Sequence, residues 1–173
     1  TWADRDLPGA LTLPQHFRNH GYVTVSLGKV FHHLPDAAER SWCEPPWHPR
    51  VNADESWRNY LLPENKAADK HDRRRGPPFE CAEVADDAYF DGQTARRAVE
   101  ELRRLAAGDK PFFLAAGFLK PHLPFNAPKR YWDYYRRDDI SLADNPFRPE
   151  GAPEQAMHNF GELRAYFDVP AEG

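Results

Sequence analysis

The segment Tyr22-Val23-Thr24-Val25-Ser26-Leu27-Gly28-Lys29-Val30-Phe31-His32-His33 decides how this chain folds. Its first six residues favour extended backbone, so they predict a strand over residues 22–27. Upstream, Thr12 can cap a helix that has Pro14 in its first turn, where a missing N–H costs nothing. This part of the sequence therefore predicts a helix followed directly by a strand.

A second helix–strand pair is predicted further along the chain. Asp91 is a good capping residue, and the pattern after it predicts a helix to about Ala107. The apolar run over residues 112–118 predicts a strand that is buried on both faces. Pro128 is expected to open a further short helix. The buried stripe of the long helix is expected to contain Ala95, Val99, Leu102, Leu105 and Ala106. The short helix is expected to contain Tyr131, Trp132, Tyr134 and Tyr135.

The alternation of helices and strands favours an α/β domain with parallel strands. Between the two pairs, residues 34–80 are rich in proline and lack periodicity, which predicts a long irregular excursion with at most short helical turns. The whole chain has 17 prolines in 173 residues, about twice the usual share. This proline content argues against an all-helical bundle.

Composition excludes several classes of protein. With 40% hydrophobic and 29% charged residues, the chain can build a core and need not be disordered. A net charge of -4 argues against a dedicated nucleic-acid binder, and no apolar run is long enough for a transmembrane helix. The chain starts at Thr1 and its single methionine is Met157, so we expect a processed product or a fragment. Cys43 and Cys81 are too few for a disulfide scaffold, and two separate thiols are favoured over one bridge.

Basic and imidazole side chains follow both predicted strands. Lys29 and His32 come after the first strand, and Lys120 and His122 after the second. Because ligands bind at the carboxyl ends of strands in open parallel sheets, the four side chains are predicted to share one crevice. Two cations and two imidazoles would suit sulfate or phosphate and could protonate a leaving oxygen. The alternative is that these residues belong to ordinary surface loops.

Other candidate sites are weaker. His16 and His20 are four apart on a helix, as metal ligands can be, but a solvent-facing pair is favoured because no Glu follows His16. Asp86 and Asp87 are more typical of a loop or helix start than of a metal site. The sequence contains no glycine-rich phosphate loop and no G-x-S-x-G nucleophile motif.

Several motifs, in this order, resemble those of the type I sulfatase family of the alkaline phosphatase superfamily, above all its iduronate-2-sulfatase group. The resemblance extends over about residues 11–135, with a variable stretch near 50–80. The motifs that carry it are Thr12-Leu13-Pro14-Gln15-His16-Phe17, Asn19-His20-Gly21-Tyr22-Val23-Thr24, Gly28-Lys29-Val30-Phe31-His32, Ser41-Trp42, Pro45-Pro46, His48-Pro49, Pro111-Phe112-Phe113-Leu114-Ala115 with Gly117, and Lys120-Pro121-His122-Leu123-Pro124-Phe125.

The resemblance implies part of an alkaline-phosphatase-like sandwich, with a mostly parallel central sheet and helices on both faces. Residues 1–173 would be the middle portion of an N-terminal catalytic domain. It also implies hydrolysis of the sulfate esters of a sulfated carbohydrate, by a formylglycine and a calcium ion. Lys29 would contact the sulfate and the formylglycine, His32 the formylglycine hydroxyl, and His122 the sulfate and the leaving oxygen. Lys120 would support substrate binding, and the parent would be secreted, periplasmic or lysosomal.

Departures from the family pattern show what the chain lacks. The nucleophile motif Cys-x-Pro-Ser/Ala-Arg should precede Gly28, whereas the similar Cys43-Glu44-Pro45-Pro46-Trp47 follows it and has Trp in place of Arg. We therefore reject Cys43 as the nucleophile. The nucleophile and the calcium ligands are expected outside this chain, so the isolated chain is predicted to be inactive without the rest of the sulfatase. The alternatives are a phosphate ester hydrolase of the same superfamily and a non-catalytic module that binds sulfated glycans.

Overall fold

The computed structural model describes residues 2–33, 35–49, 56–69, 75–158 and 160–170. The helices are α1 (Ala3–Asp6), α2 (Leu13–Asn19), α3 (Ala38–Ser41), α4 (Pro63–Ala68), α5 (Phe90–Ala106), α6 (Lys129–Trp132) and α7 (Gly161–Arg164). The strands are β1 (Val23–Gly28), β2 (Phe79–Ala82), β3 (Phe112–Gly117) and β4 (Phe125–Pro128). None of the described helices is long and apolar enough to cross a membrane. The chain divides into two compact units, Thr1–Glu55 with Asp86–Pro121, and Ser56–Ala85 with His122–Gly173.

The first unit is built on the parallel pair of β1 and β3. Their register runs from Val23 opposite Phe112 to Gly28 opposite Gly117. Val25 and Leu27 of β1 pack with Leu105 of α5 in the core of this unit. Both strands begin within one residue of their predicted positions, and their parallel pairing confirms the α/β class.

An extended segment lies along β1 on the side away from β3. The Cys43 N–H donates to the Thr24 carbonyl at 3.0 Å, and the Trp47 N–H donates to the Ser26 carbonyl at 2.9 Å. Near the end of the strand, the Gly28 N–H donates to the Trp47 carbonyl at 2.8 Å. The segment thus runs parallel to β1, so that Cys43 lies at the amino end of the strand and Trp47 at its carboxyl end.

The capping prediction for α2 is confirmed. Thr12 is its N-cap, and the hydroxyl of Thr12 accepts a hydrogen bond from the Gln15 N–H at 3.2 Å. The Gln15 side chain in turn accepts from the Thr12 N–H at 3.5 Å, which completes a capping box. These paired bonds satisfy two donors that a helix start otherwise leaves without partners.

The predicted start of α5 is wrong, and of its predicted buried stripe only Leu105 is buried. The N-cap is Tyr89, and Asp91 lies within the helix. Val99 and Leu102 are each 46% exposed, whereas Glu101 is only 2% exposed. Glu101 is held by Arg97 and Arg104, each at 2.6 Å, and paired in this way a carboxylate can be buried. The helix therefore packs through a stripe that combines polar and apolar side chains. Its buried residues are Phe90, Thr94, Glu101 and Leu105.

The second unit contains a second parallel pair, β2 with β4, in which Phe79 lies opposite Phe125. Neither strand was predicted, because each has only four residues and both border proline-rich segments. The carboxylate of Glu80, which is 1% exposed, accepts from the N–H groups of Leu61 and Leu62 at 2.7 and 3.1 Å. This side chain therefore joins β2 to the segment that leads into α4.

The irregular excursion and the short helix were predicted in part. Within residues 34–80 the structure describes two short helices, α3 and α4, and the start of β2, while residues 34, 50–55 and 70–74 lie outside the described residues. The helix after Pro128 is confirmed as α6. It ends at Trp132, so Tyr134 and Tyr135 lie beyond it.

Candidate functional site

Two glycines bring the ends of β1 and β3 close together. Gly28 has a φ of +67°, and a Cβ at this position would overlap the Gly117 carbonyl oxygen. A Cβ at Gly117 would overlap the Lys29 carbonyl. The Lys29 N–H donates to the Gly117 carbonyl at 2.8 Å. The backbone of Lys29 is therefore fixed at the carboxyl end of the sheet.

Lys29 and His32, both predicted as catalytic, are in contact. The Lys29 Nζ lies 3.4 Å from the His32 Nδ1. When the ammonium donates to Nδ1, the neutral imidazole carries its proton on Nε2. The pair thus combines a positive charge with a ring N–H, and an anionic oxygen can accept a hydrogen bond from either group.

Lys120 belongs to the same unit and follows β3. The carboxylate of Asp91 accepts from the N–H groups of Leu119 and Lys120 at 2.7 and 2.9 Å. Burial lowers the pKa of Lys120, and the negative charge of Asp91 opposes that shift. Asp91 thus holds the backbone that carries Lys120. No local sequence signal predicts this role, since an Asp at a helix start is more typical of a cap.

His122 belongs to the second unit, which supplies its described neighbours. The His122 Nδ1 lies 2.6 Å from the carbonyl oxygen of Leu123. The edge of its ring meets the Trp57 ring at a centroid distance of 5.3 Å. Its Nε2 lies 3.9 Å from a carboxylate oxygen of Glu162, which also accepts from Arg75 at 3.2 Å. The sequence did not predict that Trp57 and Glu162 lie beside His122, because both are far from it along the chain.

A small open pocket lies at the carboxyl end of β1. Trp42, which is 3% exposed, carries a buried indole Nε1 that has no hydrogen-bond partner among the described residues. The Nε2 of His48 is likewise buried and without a partner there, and burial lowers the pKa of this imidazole. The residues that line the pocket are Ser26, Gly28, Phe31, His33, Trp42, Pro46 and His48.

The part of the chain that the structure describes offers no set of metal ligands. No group of three or more His, Cys, Asp or Glu side chains is placed to hold an ion there. His16 and His20 have ring centroids 4.3 Å apart, but the His20 Nδ1 lies 2.8 Å from the His16 carbonyl oxygen. The described residues therefore do not fit the calcium ion that the family resemblance implies.

Cys43 is remote from the Lys29–His32 pair. Its thiol lies 3.4 Å from the Thr24 nitrogen, at the amino end of β1. Five residues of extended chain separate Thr24 from Lys29, a distance of about 16 Å. This position supports the rejection of Cys43 as the nucleophile. Both Cys43 and Cys81 are free thiols.

Comparisons with known proteins identify the relatives of this chain. A family model described as Sulfatase matches residues 7–169. The chain is 34% identical over 165 residues to iduronate 2-sulfatase from Homo sapiens and covers 29% of that protein, with 92% of this chain aligned. The values for the iduronate 2-sulfatase of Mus musculus are the same. A sulfatase from Formosa agariphila is 26% identical over 131 residues, which are 74% of this chain and 25% of that protein. The chain thus spans less than a third of the length of these relatives.

Proposed function

This chain belongs to the sulfatase family, and from that premise we propose that its parent protein hydrolyses the sulfate esters of a carbohydrate. The observation that carries the proposal is the 3.4 Å contact of Lys29 with His32 at the carboxyl end of β1, in a chain that matches the family over residues 7–169. Two relatives are iduronate 2-sulfatases, which supports a sugar as the alcohol part of the substrate. The 173 residues would be the middle portion of the N-terminal catalytic domain.

Hydrolysis of a sulfate ester needs its negative charge to be held while the S–O bond breaks. In this proposal the Lys29 ammonium binds a sulfate oxygen and offsets the charge of the transition state. The N–H of His32 donates to an oxygen of the attacking nucleophile. A pair of opposite unit charges at 4 Å interacts by about 4 kcal/mol at an effective dielectric constant near 20. A single lysine can therefore contribute a useful part of the rate enhancement.

The leaving alcohol needs a proton as its oxygen separates from sulfur. We assign this step to His122, whose imidazole can act as a general acid. Lys120 would add a second positive charge near the substrate, and Asp91 would hold its backbone. This role for Lys120 supports binding and does not require the lysine to exchange a proton.

The nucleophile and the metal are proposed to come from other parts of the parent. Family membership implies a formylglycine and a calcium ion. The described residues do not fit that ion, and Cys43 lies at the opposite end of β1 from Lys29. We therefore derive no step through either group from this chain.

The proposal is tested by assaying the full-length parent with 4-nitrophenyl sulfate and 4-nitrophenyl phosphate. We expect turnover of the sulfate ester, and a loss of about 10²–10³-fold in kcat/KM in Lys29→Ala and His32→Ala, because each removes a donor from the transition state. Lys110→Ala, a change at an exposed lysine of the same unit, is the matched control and should keep full activity. Turnover of only the phosphate ester, or unchanged activity in Lys29→Ala, would contradict the assignment.

A further inference from the structure

Two of the side chains that line the pocket beside β1 each carry a buried polar atom without a partner among the described residues. The indole N–H of Trp42 is a donor, and in a side chain that is 3% exposed it lacks an acceptor among the described residues. The buried Nε2 of His48 lacks a partner in the same part of the chain. Buried polar groups nearly always have partners, so two such atoms on neighbouring lining residues leave a place for a bound water or a ligand hydroxyl.

The chemistry of the lining selects a neutral group that can both donate and accept. Trp42 can only donate, whereas burial keeps His48 neutral near pH 7, so that this ring has one nitrogen able to accept. A hydroxyl accepts from the first and donates to the second. A sulfate or carboxylate oxygen cannot donate, and no Lys, Arg, Asp or Glu is among the lining residues to hold its charge.

The place and size of the pocket connect it with the proposed reaction. Gly28 and His33 both line it, and they flank the segment that holds Lys29 and His32. The pocket is too small for a sugar ring, so it would accept one hydroxyl substituent and not a whole oligosaccharide. The rings of Phe31 and Trp42 contact each other, with centroids 5.6 Å apart, and make one side of the pocket apolar.

We infer that this pocket is a specificity subsite that binds one hydroxyl group of the sulfated carbohydrate, with Trp42 as donor and His48 as acceptor. The inference rests on the proposed function, since it takes the sulfate held by Lys29 as the anchor of the substrate. Trp42 and His48 thereby select the alcohol part of the ester, while Lys29 and His32 act on its sulfate.

The test compares two kinds of substrate in the full-length parent. One is 4-nitrophenyl sulfate, and the other is a panel of methyl glycoside monosulfates. Trp42→Phe removes the indole N–H and keeps an aromatic ring. We expect it to raise KM about tenfold for the sugar sulfates that the wild type hydrolyses, as for one lost hydrogen bond, and to leave KM for 4-nitrophenyl sulfate unchanged. Trp132→Phe is the same substitution on α6, outside the pocket, and should leave both values unchanged.

His48 provides a second test that does not depend on how well Trp42→Phe folds. His48→Asn removes the polar atom at the position of Nε2, whereas the longer side chain of His48→Gln can restore one there. We expect the Asn variant to lose affinity for sugar sulfates and the Gln variant to recover much of it. Turnover of 4-nitrophenyl sulfate by each variant shows that the protein is folded and that its reactive centre is intact.

The outcomes separate this inference from the proposed function. Equal KM changes for both substrates, or none for either, would overturn the subsite and indicate that water or another part of the parent fills the pocket. Turnover of 4-nitrophenyl sulfate without turnover of any sugar sulfate would overturn it as well. Failure of the wild type to hydrolyse any sulfate ester would instead overturn the proposed function, and with it the basis of the subsite.

Discussion

The burial of His48 couples the protonation of this residue to folding. Burial disfavours the charged imidazole and lowers its pKa in the folded state. In the unfolded chain the same ring titrates near its ordinary value of about 6.5. As the pH falls through that value, the unfolded state binds a proton that the folded state does not, so acid favours unfolding.

We therefore predict that the folded state loses stability below about pH 6.5 in part because of His48, by at most about 1.4 kcal/mol per pH unit for one proton. Above about pH 7 this residue adds no pH dependence, since the ring is then neutral in both states. The measurement is the thermal midpoint of the parent between pH 5 and 8, compared with that of His48→Gln. The variant should lose less stability in acid, and parallel pH curves for the two proteins would exclude this role.

The sequence predicts the surroundings of some site residues better than those of others. Lys29 and His32 follow a strand that the sequence predicts well, and a spacing of three residues lets their side chains meet. Asp91 behind Lys120 and Glu162 near His122 could not be found in this way. Their contacts join residues that are 29 and 40 positions apart in sequence, and no local pattern encodes such separations.

At the scale of secondary-structure elements, α5 and the loop after β3 are joined through one carboxylate. Asp91 lies in the first turn of α5 and accepts from two consecutive backbone N–H groups, those of Leu119 and Lys120. An ionised acceptor makes such bonds stronger than neutral ones. The position of the loop thus depends on the helix as well as on the strand that precedes it.

Asp91→Ala is expected to free this loop and to speed amide hydrogen exchange at Leu119 and Lys120 by about tenfold or more, since each lost bond to a charged group costs about 1.5–3 kcal/mol. Asp91→Asn keeps an acceptor and should have a smaller effect. Asp109→Ala, at an exposed position just beyond α5, serves as the control. Unchanged exchange at both amides in Asp91→Ala would show that β3 alone holds the loop.

The sequence predicts a helix or strand well when the residues that specify it are close together in the chain. The capping residues of α2 and the β-branched run of β1 lie within a few positions, and both elements were predicted. The buried face of α5 was not, because Glu101 is buried with two arginines while Val99 and Leu102 are exposed. Hydrophobic periodicity predicts instead that Val99 and Leu102 are buried and that Glu101 faces water. The strands β2 and β4 are each four residues long and produce no detectable period.

At the scale of the whole chain, many large apolar side chains are accessible. The most exposed among them are Tyr134, Tyr135, Leu142 and Phe147, at 73%, 74%, 93% and 77%. Within the described residues, each of the two sheets has only two strands. The chain also spans less than a third of the iduronate 2-sulfatases that it matches. These features are typical of a segment whose stability depends on further chain.

We predict that the isolated 173-residue chain associates in solution and does not hydrolyse 4-nitrophenyl sulfate, even with added calcium. Association is expected because accessible apolar surface and sheet edges favour contacts between copies. The measurement is the molar mass by light scattering during gel filtration. Leu102→Lys, on the exposed face of α5, should reduce association, whereas Glu100→Lys, which adds a lysine without removing an apolar side chain, should reduce it less. A monodisperse, calcium-dependent sulfatase would contradict the prediction.

The close approach of Gly28 and Gly117 has a consequence for inherited variation. Neither residue carries a functional group, yet an added methyl at either position would overlap backbone of the other strand end. In a saturation mutagenesis screen scored by activity, both positions should be as intolerant as Lys29 itself. Every single-nucleotide missense change of a glycine codon adds a side chain, so each would displace the lysine without altering it. The position of Lys29 thus depends on two neighbouring residues that lack a Cβ atom.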